Sequence, residues 1–360
     1  MISAYNLSLT GRSHMNNDMP CQDFSIIEQI SPSWCIAAAA DGVGSCEHSE
    51  IASEIAAREA VSLAAKLFPG ENARTAEDFT SVIRAAFHGA ANAVKTYVDQ
   101  HDPGNEENYQ TTLALALMSP GDLYFGNAGD GGVIALSEED GRYHVLTHKG
   151  NDENGCVYSL PAWRFFETGK APFKAAAALC FTDGILDSAA PRILSKENFN
   201  VNVPFVNMFC TYGLGLEGGE KEEAALTVQK LTDYLRSDEC SFMTDDLSAA
   251  VMVNTESLLT KKDIPWQEPV IDRYALKFQE FCYTDENSRN KMFLDYIKDM
   301  NPGWNEDEIN TFALKYFEGG ESLKSGSAKK PKPPKGKGKL KASGGNFVRC
   351  FKFLRCLSKH

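Results

Sequence analysis

The residues of this chain best suited to chemistry are aspartates set at the ends of apolar runs. Trp34 to Asp41 (WCIAAAAD) closes on Asp41-Gly42, and Ala175 to Cys180 leads through Phe181 and Thr182 into Asp183-Gly184. Gly121 to Asp130 (GDLYFGNAGD) closes on a third acid, and Asp245-Asp246 stand just ahead of the run Leu247 to Val253. Asp23 precedes one more run, Phe24 to Ile30. A lone carboxylate at the end of a core strand is costly unless it is paired or bound to a cation. A single Asp-Gly is an ordinary turn. Several strand-terminal acids in one chain are most economically used if they converge on hard cations such as magnesium or manganese, which prefer oxygen ligands.

The elements that must position these acids can be read from periodicity. Trp34 to Asp41, small and apolar throughout, predicts a strand buried on both faces. Residues 2 to 9 and 24 to 30 predict strands flanking a turn from Gly11 to Cys21. Ser49 to Phe68 and Thr75 to Val98 carry apolar residues at helical spacing and predict two long helices covering one face of a sheet. From Tyr109 to Leu146 short apolar runs alternate with turn residues, as in an antiparallel meander. Asn151 to Lys174 reads as a surface flap, Ala175 to Thr182 as a strand, Glu220 to Arg236 as a helix, and Leu247 to Asn254 as the last strand of the body. The expected fold class is α+β, an antiparallel sandwich flanked by helices.

Beyond residue 256 the character changes. Tyr274 to Phe281, Lys291 to Asp299 and Asn305 to Phe317 predict helices, the last opened by Asn305 with Glu306 and Asp307 in its first turn. The expected organisation is a body over 1–256, a helical extension over 257–318, a Lys/Pro/Gly linker over 319–346 and a basic amphipathic tail over 347–360. The net charge of −13 conceals an asymmetry, with about +11 over residues 321 to 360 and about −24 over the rest. So acidic a body argues against general nucleic-acid binding. The tail has the composition to touch an anionic membrane or an acidic partner, to fold back on the body, or to stay disordered.

No run approaches the apolar length of a membrane span, and MISAYNLSLTGRSH lacks the pattern of a signal peptide. The expectation is a cytoplasmic protein, membrane-associated only if the tail makes it so. The 10 cysteines are scattered without a CxxC pair, several of them inside apolar runs, which predicts reduced, buried thiols.

Taken in order, Gln22-Asp23, Asp41-Gly42-Val43-Gly44, Thr111-Thr112, Gly129-Asp130, Asp183-Gly184-Ile185-Leu186-Asp187 and Asp245-Asp246-Leu247-Ser248 resemble the motif series of the metal-dependent serine/threonine phosphatases of the protein phosphatase 2C family. Ser13-His14 followed by Pro20-Cys21-Gln22-Asp23 resembles its bacterial branch. The resemblance spans about residues 1 to 254 and implies a β-sandwich flanked by helix pairs. It also implies that Asp41 bridges two metals (manganese or magnesium), that the Gly42 carbonyl binds one, that Asp183 and Asp245 complete one shell, and that Asp23 holds water around the other. Asp130 and Asp187 fall where the family binds a weaker third metal.

The activity so implied is hydrolysis of phosphoserine and phosphothreonine on proteins by a water activated between two cations. This suits a site of aspartates with no serine or cysteine set beside a base. The implied partners are phosphoprotein substrates and a cognate serine/threonine kinase in a signalling role, with the enzyme a monomer. Two positions depart from the family pattern. The arginine expected four residues before Gln22 is Asp18 here, which leaves Arg12 or His14 to bind phosphate, or His14 to act as general acid. Gly131 stands where the family often has serine. The alternatives are a pseudophosphatase that binds phosphoprotein without turnover, and a phosphatase of small phosphorylated metabolites.

Overall fold

The computed structural model describes residues 1–70, 75–150, 156–161, 165–190, 201–214, 221–257 and 286–314. Two antiparallel sheets lie face to face between layers of helices. In chain order the strands are β1 (Ile2–Leu9), β2 (Asp23–Ser31), β3 (Trp34–Asp41), β4 (Leu113–Met118), β5 (Leu123–Ala128), β6 (Gly132–Ser137), β7 (Tyr143–Val145), β8 (Glu167–Lys170), β9 (Ala175–Phe181) and β10 (Leu247–Asn254). One sheet runs β1-β10-β9-β6-β7, the other β2-β3-β4-β5-β8. The α+β sandwich expected from the sequence is therefore present.

The alanine-rich strands explain the close layering. Along β3, Cys35, Ala37 and Ala39 face the opposite sheet, where they meet Ala178, Cys180, Ala250 and Met252. Ile36, Ala38 and Ala40 face outward against α2 (Ser49–Lys66) and α3 (Ala76–His101). Alternation on a fully buried strand thus serves two cores at once. On α3, Phe79, Ile83, Phe87, Ala90, Val94 and Val98 recur at helical spacing and are buried. Phe79 stacks on Trp34 at 4.7 Å between ring centroids. Truncating the fully buried Phe87 to alanine would cost about 3–5 kcal/mol. The helix starts where Thr75 and Asp78 cap each other's backbone N–H groups.

The second outer core covers β9 and β10 with α4 (Asp183–Ala189), α5 (Val203–Leu214) and α6 (Lys221–Leu235). Neither α4 nor α5 is signalled by the sequence reading. The first is a short continuation of the Asp-Gly motif, and the second is apolar enough to lack an amphipathic pattern.

Three expectations change. The turn from Gly11 to Cys21 contains a short helix, α1 (Arg12–Asn16). The segment 109–146 is not one meander, because β4 and β5 pair in one sheet while β6 and β7 belong to the other. The change of sheet occurs at Gly129, whose φ of +95° suits glycine. Part of the expected flap is strand β8, which pairs with β5, while residues 151–155 and 162–164 lie outside the described residues. Of the C-terminal helices, two correspond to α7 (Glu286–Met300) and α8 (Glu306–Leu314). Tyr274 to Phe281, the linker and the basic tail lie outside the described residues. Cys35, Cys46, Cys180, Cys210 and Cys240 are buried free thiols. No helix among the described residues is long and apolar enough to cross a membrane.

Candidate metal centre

Strand register gathers the aspartates at one end of the sandwich. Asp23, the first residue of β2, stands directly across from Asp41, the last of β3. Leu113 of β4 faces Ala128 of β5, which sets Asp130 just past the same end. In the other sheet Ala249 faces Phe181, so Asp183 follows β9 and Asp245 precedes β10 side by side. Thr182 ties the two sheets together there. Its hydroxyl donates to Asp23 Oδ2 at 2.7 Å and accepts the Ser248 N–H at 3.1 Å.

The backbone at Asp41 is fixed from several sides. Its N–H donates to Thr112 Oγ1 at 3.0 Å, and its carbonyl accepts the Thr112 N–H at 2.7 Å and the Thr111 hydroxyl at 2.9 Å. The next residue must be glycine, since a Cβ on Gly42 would lie 2.7 Å from the carbonyl oxygens of Gln22 and Ser49. Gly184 is constrained likewise, because a Cβ there would overlap the Asp246 carbonyl.

Carboxylate oxygens of Asp41, Asp130 and Asp183 all lie within 4.8 Å of one another. Such crowding is unfavourable for bare carboxylates. Loss of water and the charge of Asp183 push Asp41 well above the usual carboxylate range, and loss of water and the charge of Asp130 do the same to Asp183. Buried Asp23 is raised to about 7 by desolvation, against which the Thr182 hydroxyl and a hydrogen bond with Asp41 work. Asp245 contributes charge to Asp23, Asp41 and Asp183 without joining the tightest triple. Gln22 Oε1 is buried without a hydrogen-bond partner among the described residues. An all-oxygen donor set with crowded like charges fits hard divalent cations.

Asp246, next to Asp245, does different work. It is buried, and its Oδ1 accepts the Gly11 N–H at 2.6 Å. Its Oδ2 takes the Gln22 N–H at 2.5 Å and Nδ1 of His14 at 2.9 Å. His14 is thereby drawn from α1 to the β10 end, where its ring works against the upward push that lost hydration gives Asp245. Asp18, at the position of the missing arginine, is an exposed turn residue with φ of +54°. Asp tolerates that left-handed conformation better than arginine does. The chain turns back there, with the Met19 N–H on the His14 carbonyl at 2.9 Å.

Arg12 is put to a different use from the one its sequence position suggests. Its Nη2 donates to the carbonyls of Arg236 at 2.6 Å and Ser237 at 2.8 Å, just past the end of α6. A guanidinium so spent stabilises a helix terminus. Asp187, one turn after Asp183 on α4, is ion-paired with Lys149. The sequence offers no signal for Lys149, a lone lysine in a polar stretch, or for the bridging role of Thr182, which stands in an apolar run.

The sequence itself matches known proteins. A family model described as protein phosphatase 2C matches residues 10–236. Serine/threonine-protein phosphatase 3 of Escherichia coli (strain K12) is 29% identical over 259 residues, covering 66% of this chain and 92% of that protein. Two solved structures are similar at lower identity. Serine/threonine phosphatase Stp1 from Staphylococcus aureus matches at 13% identity and a TM-score of 0.46, over 71% of this chain and 95% of that one. The Mycobacterium tuberculosis serine/threonine phosphatase PstP/Ppp matches at 16% identity and a TM-score of 0.45, over 70% and 98%.

Proposed function

The chain belongs to the protein phosphatase 2C family and is a protein serine/threonine phosphatase, and we propose that it cleaves phosphoserine and phosphothreonine with a water activated by two divalent cations, manganese or magnesium. The observation that carries this reading is the convergence of Asp41, Asp130 and Asp183 oxygens within 4.8 Å. Two cations at such a site supply an acidified water, a clamp on the phosphate and neutralisation of the attacking and leaving oxygens.

The protein's own groups divide the remaining work. Asp41, its neighbour's carbonyl at Gly42, Asp183 and Asp245 would hold the cations, with Asp130 in the same group. Asp23, fixed by Thr182 and opposite Asp41, would orient water around them. His14 is the group we assign to proton delivery. A serine or threonine alkoxide is a poor leaving group, and an imidazolium N–H can give it a proton. Asp246 holds the His14 ring through Nδ1, which leaves Nε2 for the substrate. Arg12 has no part in this assignment. The phosphoprotein substrates would come from a serine/threonine kinase acting in the same signalling step.

The test is hydrolysis of an aryl phosphate by the full chain, with manganese, with chelator, and with Asp183→Ala. Turnover that needs manganese and is lost in the variant is expected. Turnover that persists in chelator would overturn the reading.

A further inference from the structure

The loop that carries His14 also carries two methionines turned to solvent. Met15 is 47% exposed and Met19 37%. Exposed apolar side chains scattered singly are ordinary. These two belong to one tight loop around His14. Met15 follows it directly, and Met19 returns to it by donating its N–H to the His14 carbonyl at 2.9 Å.

The backbone under both is fixed without help from their side chains. The Met15 N–H donates to the Gly11 carbonyl at 2.9 Å, and the Asn17 N–H to the His14 carbonyl at 3.0 Å. The Asn17 amide donates to the Ser13 carbonyl at 2.8 Å. The Ser13 N–H donates to the carbonyl of Thr244, directly before Asp245, at 2.8 Å. A Cβ on Gly11 would lie 2.2 Å from the Asp245 carbonyl carbon, so the loop is seated tightly on the start of β10. Leu9, the last residue of β1, pairs with Leu247. The loop therefore stands at the end of the sandwich where the aspartates converge. Covering two large exposed side chains there with apolar surface would be favourable.

A phosphorylated residue whose leaving oxygen meets His14 brings its neighbours past the same loop. An extended chain advances about 3.3 Å per residue, so side chains within about three residues of the phosphate lie within about 10 Å of it. Methionine is unbranched and adaptable, which suits a surface receiving apolar side chains of varied shape. Between the two methionines stands exposed Asp18, which repels an acidic neighbour.

We propose that Met15 and Met19 are specificity-determining residues, an apolar shelf beside His14 that selects phosphoproteins with a large apolar side chain within about three residues of the phosphoserine or phosphothreonine. The inference rests on the phosphatase reading above, with His14 at the leaving group, and deepens it by naming the substrate class.

The test is steady-state hydrolysis, by the full chain in manganese, of phosphothreonine peptides that carry leucine, alanine or glutamate at one flanking position at a time. In wild type, KM for the best leucine peptide should be about tenfold below that of its alanine counterpart, the scale of partly covering one leucine side chain, with kcat little changed. The glutamate peptide should be the poorest of the three. Met15→Lys combined with Met19→Lys should bring the leucine-to-alanine ratio close to unity, and Met15→Leu combined with Met19→Leu should keep it. Each ratio is read within one protein, so differences in folding or metal content between variants cancel. Equal KM for leucine and alanine at every flanking position in wild type, or a preference that survives in the lysine variant, overturns the inference while hydrolysis itself leaves the phosphatase reading intact. A folded wild type that hydrolyses none of these peptides and no aryl phosphate would instead remove that reading and this inference with it.

Discussion

Nδ1 of His14 lies 2.9 Å from Oδ2 of Asp246, and both side chains are buried. The same carboxylate accepts the N–H groups of Gly11 and Gln22, so it is committed as an acceptor, and the ring nitrogen facing it must carry the proton. This fixes the orientation of the ring before substrate arrives, and a proton delivered to a leaving group comes from Nε2. Three segments distant in sequence, the β1–α1 junction, the start of β2 and the start of β10, meet on one carboxylate.

The role given to His14 predicts a dependence on the leaving group. His14→Gln should lower kcat on a phosphothreonine peptide by about 100-fold, the scale of a lost general acid. On an aryl phosphate, whose leaving group needs no proton, the loss should be several-fold at most. Equal losses on both substrates would contradict proton delivery by His14 and indicate phosphate binding.

Arg12→Ala should leave kcat on both substrates unchanged and destabilise the fold by about 1 kcal/mol, as expected for a partly exposed charged donor capping carbonyls past α6. Thermal melts and steady-state rates on one preparation check this. A hundredfold loss of rate with an unchanged melt would return Arg12 to the site.

Much of the candidate site was legible in the sequence. Asp41, Asp130, Asp183 and Asp245 were legible because each stands at the end of an apolar run, and antiparallel register brings such ends together. Asp23 was legible for the same reason. Arg12 and His14, two residues apart, were indistinguishable, since only the turn of α1 decides which one meets Asp246. The change of sheet at Gly129 was hidden because β5 and β6 are equally apolar, and pairing partners are not encoded in hydrophobicity. Lys149 depends wholly on tertiary placement of a polar loop, which leaves no local pattern.

Asp246→Asn should cost about 2–4 kcal/mol in chemical denaturation, because an amide cannot accept from Gly11, Gln22 and His14 as the carboxylate does. The amide keeps one acceptor oxygen, so either the Gly11 N–H or the Gln22 N–H together with the His14 ring faces an NH2 group and is left without an acceptor in a buried place. A change below about 0.5 kcal/mol, the range of ordinary surface substitutions, would show that the carboxylate is not what holds these segments together.

The metal-free protein should lose stability as pH rises. Asp23 is raised to about 7, and Asp41 and Asp183 are raised well above the usual range, all first by loss of water. A carboxyl raised on folding binds its proton more tightly in the folded state, so its contribution is present below the unfolded value near 4 and is lost as pH climbs through the folded value. In chelator the melting temperature should therefore fall between about pH 5 and 8. Saturating manganese should flatten that slope by favouring the ionised forms. An identical slope with and without manganese would mean that these carboxylates do not meet the cations.

The most direct measurement is phosphate released from matched phosphothreonine and phosphotyrosine peptides, in manganese and in chelator, by wild type and by Asp41→Ala. The arrangement around Asp41 predicts manganese-dependent release from the phosphothreonine peptide, abolished by chelator and reduced by several orders of magnitude in the variant. A folded, manganese-binding wild type that releases no phosphate, or an Asp41→Ala protein that releases it at the wild-type rate, would contradict the account.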